Sequence, residues 1–254
     1  MAYRDSHIER LKKLVKNPQK EMGHVWPFIK SKLTPYHRTA LEFFGNYTHS
    51  KPFEGHDNFL PHVNFKNGFF VQCGGMNGYG NDPTYYLEKA LGWKGIIVEP
   101  LPVYIDCKKN RSKSVVYNYA AGSFDDRDAI TSFIDCYGMS FVKGSIDNEK
   151  EWIDTGEWTQ KIQAKEIQVK MKPVQDFIDE YFVENPHREI DLFVADVEGY
   201  ELNVLKGLDF DKNKPKQILL EISKQNVSKL VDFLSPKGYV LSAQFTNDYL
   251  FKLK

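Results

Sequence analysis

Charge of either sign in excess, thiol pairs, long apolar runs and repeats are all missing from this 254-residue chain. Thirty-four Lys and Arg stand against 34 Asp and Glu. A chain without net charge has no global field drawing it to nucleic acid or to an anionic surface, and neither is expected as a partner. Cysteine is scarce: Cys73, Cys107 and Cys136 lie far apart without C-x-x-C spacing, which argues against a disulfide framework or a zinc site. No apolar run approaches the roughly 18 residues that a membrane span needs. The residues after Met1 are polar and charged, so no signal peptide and a cytoplasmic location are expected. Composition and length leave room for one α/β domain with an extension, and say nothing of oligomeric state.

What the chain does have is concentrated in residues 69–100, FFVQCGGMNGYGNDPTYYLEKALGWKGIIVEP. The apolar run 69–73 reads as a buried parallel strand, and the glycines at 74, 75, 78 and 80 make a turn where backbone can approach a ligand. Asp82 caps a helix with Pro83 at its first position, and Gly92 ends it. A second apolar strand, 95–98, stops at Glu99. Strand, glycine turn, helix and strand, with a carboxylate where a ribose hydroxyl pair would lie, is the plan of a nucleotide site.

Residues 1–65 read as a helical N-terminal extension, with one amphipathic helix at 7–16 and another at about 35–44. This stretch carries ten Lys or Arg against six Asp or Glu, and six of the seven histidines, as either a partly basic cap or a wall for an acceptor. Residues 66–254 form the main domain. After the opening unit come a helix at 103–111 and a strand at 114–119 that closes at Ala120-Ala121-Gly122. An antiparallel strand or hairpin across 130–142 and a polar surface excursion at 143–163 follow. Then come strand 165–171, helix 173–181, buried strand 190–195, helix 201–206, strand 217–220, helix 227–234 and closing strands 239–245 and 249–253. This alternation predicts a three-layer, mostly parallel, Rossmann-like sheet, and the closing hairpin predicts antiparallel strands at one edge.

Three ligands compete for the glycine turn. A dinucleotide wants G-x-G-x-x-G running directly into the helix that holds its pyrophosphate. Here that spacing is absent and Asp82-Pro83 delays the helix. A phosphate-binding P-loop needs G-K-[ST], which does not follow. A longer loop with adjacent glycines suits a nucleoside without phosphates whose amino-acid tail crosses the strand end, as in S-adenosylmethionine. Tyr85 and Lys89 form the Y-x-x-x-K pair of short-chain dehydrogenases, but on the first helix, on the wrong side of the sheet order.

The run VQCGGMNGYGNDPTYYLEKALGWKGIIVEP, then YNYAAG, LFVADVEGYELNVLKG and ILLEI, resembles the FkbM family of S-adenosylmethionine-dependent methyltransferases over about residues 69–223. The resemblance implies a class I methyltransferase fold and O-methylation of a hydroxyl on a sugar, glycan precursor or related natural product. It leaves out 1–65 and 143–163, where acceptor choice is expected to reside. In one place the chain departs from the family: Gln72 stands where the first strand usually ends in an acid, and an amide accepts from the cofactor's ammonium without charge assistance. Gly75 stands where alanine is usual. A nicotinamide-dependent oxidoreductase and a non-catalytic nucleotide-binding relative are the alternatives.

Glu99 is expected to bind both ribose hydroxyls, since a carboxylate offers two acceptors. Gly74, Gly75 and Gly78 are expected to let backbone approach the methionine part, with Gln72, Asn77 and Pro100 among the cofactor contacts; Asn77 has tolerance of positive φ as its other explanation. By family position, Ala120 and Ala121 let the adenine lie flat. Asp196 and Glu198, two apart at a strand end, leave the same face if strand geometry persists, and are the catalytic candidates. Asp196 is placed nearest the methyl group, and Glu198 acts as base or acceptor anchor. Such a pair also suits Mg²⁺, although the sequence holds no metal-ligand motif. Glu221 ends its own strand and either faces the acceptor or pairs with a nearby lysine.

Overall fold

The computed structural model describes residues 56–186 and 189–254. The helices expected at 7–16 and 35–44, and with them most of the extension assigned to 1–65, lie outside the described residues.

β1 (Phe69–Cys73) is buried at all five positions, which suits the middle of a sheet. Side chains alternate across it: Phe69, Val71 and Cys73 join the core on one face, while Phe70 joins the core on the other. β2 (Lys94–Val98) and β8 (Leu192–Ala195) flank β1 in parallel, with Cys73 opposite Val98 on one side and Ala195 on the other. β3 (Ser114–Tyr117) continues beyond β2, and β9 (Gln217–Glu221) beyond β8, both parallel. β11 (Asp248–Leu253) is antiparallel to β9 and to β10 (Tyr239–Phe245). The order is therefore β10-β11-β9-β8-β1-β2-β3, and the expected antiparallel edge consists of one reversed strand, with β10 beyond it running parallel to the rest.

Helices cover both faces. α1 (His56–Val63), α2 (Tyr85–Leu91) and α3 (Tyr104–Asn110) contribute Phe59, Val63, Leu87 and Cys107 to the core under Phe70. α5 (Val174–Glu184), α6 (Glu201–Lys206) and α7 (Val227–Leu234) contribute Phe177, Ile178, Leu205, Leu230 and Leu234 to the other. Each such side chain withdrawn from water contributes about 1.5–3 kcal/mol. α2 starts two residues later than expected, with Thr84 rather than Asp82 at its N-cap and Pro83 ahead of it; Asp82 Oδ1 still accepts the N–H of Thr84 at 2.8 Å and of Tyr85 at 2.9 Å.

Between β3 and α5 the chain departs from simple alternation. Residues 120–122 do not close β3. They form β4 (Ala120–Gly122), which pairs in parallel with β7 (Lys165–Pro173) in a second sheet. β5 (Ile130–Asp135) and β6 (Phe141–Val142), the expected hairpin, complete it in the order β4-β7-β5-β6. The strand expected at 165–171 thus belongs to this sheet rather than to the parallel one. The excursion at 143–163 contains a helix, α4 (Glu149–Gln160). Its inward face is small, with Trp152 and Ile153 packed on Ile134, Cys136 and Phe141, while Trp158 stays 80% exposed, so its apolar residues make no continuous stripe.

Candidate active site

The carboxyl ends of β1, β2 and β8 open on a cavity with about 600 Å³ of atom-free space, open solvent at its mouth included. Gly74 and Met76 line it from the turn after β1, and Glu99, Pro100 and Leu101 from the end of β2. Ala120 and Ala121 line it from β4; Asp196, Val197, Glu198 and Tyr200 come from the turn after β8. The remaining wall is the β5–β6 hairpin, with Phe133, Tyr137, Ser140 and Val142.

The glycine turn is shaped by packing within the protein. Gly74 has φ 84, and a Cβ there would stand 1.9 Å from the Asp196 carbonyl oxygen, so glycine lets the ends of β1 and β8 close together. A Cβ at Gly75 would meet Ile97 Cγ2 at 2.3 Å, and one at Gly78 would meet Arg111 Cγ at 2.6 Å. Met76, not Asn77, takes the left-handed backbone, with φ 46. Asn77 Oδ1 instead accepts the N–H of Tyr79 at 3.0 Å and of Gly80 at 3.3 Å. Gln72 points with Phe70 toward the helices: Nε2 donates to the Gly74 carbonyl at 2.9 Å, and Oε1 accepts from Thr84 Oγ1. Gln72, Gly75, Asn77 and Gly78, expected to touch the cofactor, thus brace the turn from behind and do not line the cavity.

Glu99 does line it. Only 2% exposed, its Oε2 accepts the N–H of Gly75 at 3.1 Å and of Met76 at 2.6 Å, while Oε1 accepts that of Leu101 at 2.8 Å. Burial pushes this carboxyl upward, against three backbone donors that favour its charged form. Of the roughly four lone-pair sites on a carboxylate, these three N–H groups leave about one for a hydroxyl in the cavity. Asn118, a residue the sequence did not single out, ties the Glu99 and Pro100 carbonyls through Nδ2 at 2.9 and 2.8 Å. Ala120, Leu101, Phe133 and Val142 make a narrow apolar slot beside it.

β8 ends at Ala195, and Glu198 (φ 50) and Gly199 (φ 92) are both left-handed. The strand alternation expected to align Asp196 and Glu198 does not persist, yet this sharp turn brings both onto the cavity. A non-glycine residue there costs roughly 1–2 kcal/mol. Burial raises the Asp196 carboxyl well above its usual range, helped by nearby Glu221 and Glu198 and by a hydrogen bond with Glu221. Burial, then Glu221, pushes Glu198 up to about 8. Burial lifts Glu201 to about 7, against backbone donors that include Gly199 N–H at 2.9 Å. Asp196 also borders a second, more polar cavity, formed with Asn81, Pro83, Val194, Glu221, Thr246, Asn247 and Asp248. Burial, then Glu221, pushes Asp248 up to about 8.

Sequence reasoning missed the hairpin wall, Tyr200 and Asp248. The one local signal was Tyr137-Gly138, a turn in which Tyr137 has φ 58.

Among the described residues, the first cavity is lined by three carboxyl groups, Glu99, Asp196 and Glu198, and by no Lys, Arg or His. A lining without a cationic side chain gives phosphate no charged partner. Tyr85 and Lys89 are elsewhere: Lys89 Nζ pairs with Glu88 at 3.2 Å and lies 5.7 Å from the Tyr85 ring centroid. The family model described as the methyltransferase FkbM domain matches residues 72–241. The chain belongs to the FkbM methyltransferase family. This FkbM protein is an S-adenosylmethionine-dependent methyltransferase on an α/β class I fold. Comparison with curated proteins finds no match. Among solved structures, it is similar to the precorrin-6y C5,15-methyltransferase of Geobacter metallireducens GS-15, with 10% identity, a TM-score of 0.40 and coverage of 78% of this chain and 88% of that one. It is also similar to the N-terminal domain of human METTL16 in complex with SAH, at 11% identity and a TM-score of 0.37, covering 77% of this chain and 65% of that one.

The FkbM cavity suits the donor by its own chemistry. Its lining offers the carboxyl groups of Glu99, Asp196 and Glu198 and an apolar slot between Ala120 and Phe133. Mg²⁺ finds no support: among the described residues no group of three or more His, Cys, Asp or Glu is placed to hold a metal ion. No helix among them is long and apolar enough to cross a membrane.

Proposed function

We propose that this FkbM methyltransferase methylates a hydroxyl of a sugar, a glycan precursor or a related natural product, with Asp196 and Glu198 aligning or deprotonating that hydroxyl. The observation that supports this reading is the place of Asp196, which borders both the donor cavity and the second cavity. A donor in the first and an acceptor in the second meet at one carboxyl group. The second cavity offers carboxyl groups from Glu221 and Asp248, amides from Asn81 and Asn247, and the Thr246 hydroxyl, a set of donors and acceptors that matches adjacent hydroxyls.

When bound, S-adenosylmethionine supplies an electrophilic methyl group on sulfur. The residues have the remaining tasks. Glu99 holds the ribose, and the apolar slot holds the base. Asp196 orients the acceptor oxygen for in-line approach, where correct alignment alone accounts for several kcal/mol of the barrier. A carboxyl group held above its usual range is a stronger base once ionised, and Glu198 or Asp196 can then take the hydroxyl proton.

Labelled donor offered with a panel of sugars and sugar-derived precursors tests the class, and transfer to none of them but to amines would replace it. Asp196→Asn should lower turnover about 100-fold or more, the usual scale of lost acid–base chemistry, while S-adenosylhomocysteine affinity changes only a few-fold. Full turnover in an Asp196→Ala, Glu198→Ala double variant would remove the catalytic assignment.

A further inference from the structure

Gln72 is 2% exposed and Arg111 1% exposed, and the Thr84 hydroxyl links them through hydrogen bonds. Arg111 Nη2 donates to Thr84 Oγ1 at 2.7 Å, the Thr84 hydroxyl faces the acceptors Gln72 Oε1 and, at 3.0 Å, Asp82 Oδ1, and Gln72 Nε2 donates to the Gly74 carbonyl at 2.9 Å. Guanidinium has no acceptor, so Arg111 is the donor to Thr84. The next N–H along the backbone, that of Gly75, donates to Glu99 Oε2 at 3.1 Å. The Gly74–Gly75 peptide is therefore gripped at both ends, its carbonyl by Gln72 and its N–H by the carboxylate on the donor cavity.

We propose that Gln72 is a positioning residue for S-adenosylmethionine, its amide N–H fixing the Gly74–Gly75 peptide and, through it, Glu99. This role requires an amide. A carboxylate at position 72 has no N–H for the Gly74 carbonyl, and it would face Asp82 Oδ2, which lies 3.4 Å from Gln72 Nε2. Arg111 is already matched by two carboxylates, Asp82 at 2.7 Å and Glu88 at 3.0 Å. A third, introduced beside them in a buried site, has no cation of its own. The departure from the family's usual acid is then a consequence of where Asp82 and Arg111 stand, rather than a weakened ammonium contact.

The two ideas predict opposite results for Gln72→Glu. Calorimetry with S-adenosylhomocysteine on the full chain should show binding about tenfold weaker than wild type at pH 8. The gap should narrow at pH 5.5, where a protonated glutamate regains an O–H for the Gly74 carbonyl. Affinity equal to or above wild type at pH 8 overturns the proposal, and so does a gap of the same size at both pH values, which packing damage alone would give. Thr84→Val interrupts the chain at its middle and should weaken binding several-fold, with Thr84→Ser restoring it. If Gln72→Glu does not fold, the Thr84 pair decides, and unchanged affinity in Thr84→Val overturns the proposal.

Discussion

Glu198 holds a left-handed backbone that its side chain disfavours, and it places a carboxyl group with two others in a cavity that, among the described residues, no Lys, Arg or His lines. Strain of this kind persists where surrounding structure imposes it, and it gathers at functional sites. Glu198→Gly should raise stability by roughly 1 kcal/mol, from relieved backbone strain and a lost desolvated carboxyl group, while turnover falls. Urea unfolding and initial rates measured together check this, and a destabilised variant would contradict it. Glu99, Asp196 and Glu198 were legible in the sequence because each follows an apolar run at a strand end, where parallel sheets present ligands. Gln72 was not legible in the same way. Thr84 lies 12 residues from Gln72 and Arg111 a further 27 from Thr84, and only packing brings them under β1.

At the level of elements, the site depends on how closely β1 and β8 converge. Gly74→Ala places a methyl group 1.9 Å from the Asp196 carbonyl at φ 84. Neither strand end can move without breaking the parallel ladder, so the substitution should cost roughly 3 kcal/mol or more and abolish S-adenosylhomocysteine binding. Thermal melting and calorimetry test it, and a well-folded variant with wild-type affinity would refute this account of the joint. Most strands of the parallel sheet could be read because they are buried on both faces and uniformly apolar. β4 could not be separated from β3, since Ala120 and Ala121 continue the same apolar pattern while pairing with β7, some 50 residues away. Pairing partners of short strands are set by non-local contacts, which local pattern does not encode. α4 escaped for the complementary reason, with too little of it buried to leave a stripe.

Across the molecule, Glu198 and Asp248 are held near 8 and Glu201 near 7, so the folded protein keeps protons that the unfolded chain releases above the ordinary carboxyl range. The folded state binds more protons between about pH 4.5 and 8, and the contribution of these groups to stability falls as pH rises through that window and levels off beyond it. Melting temperature from pH 5 to 9 should show this decline, and Glu198→Gln should reduce its slope. An unchanged slope would mean that Glu198 is not one of the groups responsible. A cation opposes the same repulsion, so S-adenosylmethionine should raise the melting temperature more at pH 8 than at pH 6.

Because Asp196 alone among the described residues lines both cavities, most of each lining can change without the other. The first cavity is lined from the ends of β1, β2, β4 and β8 and from the β5–β6 hairpin, whereas Thr246, Asn247 and Asp248 of the second belong to the tip joining β10 and β11. On the proposed reading, rewriting that tip exchanges the molecule to be methylated and leaves affinity for the methyl source intact.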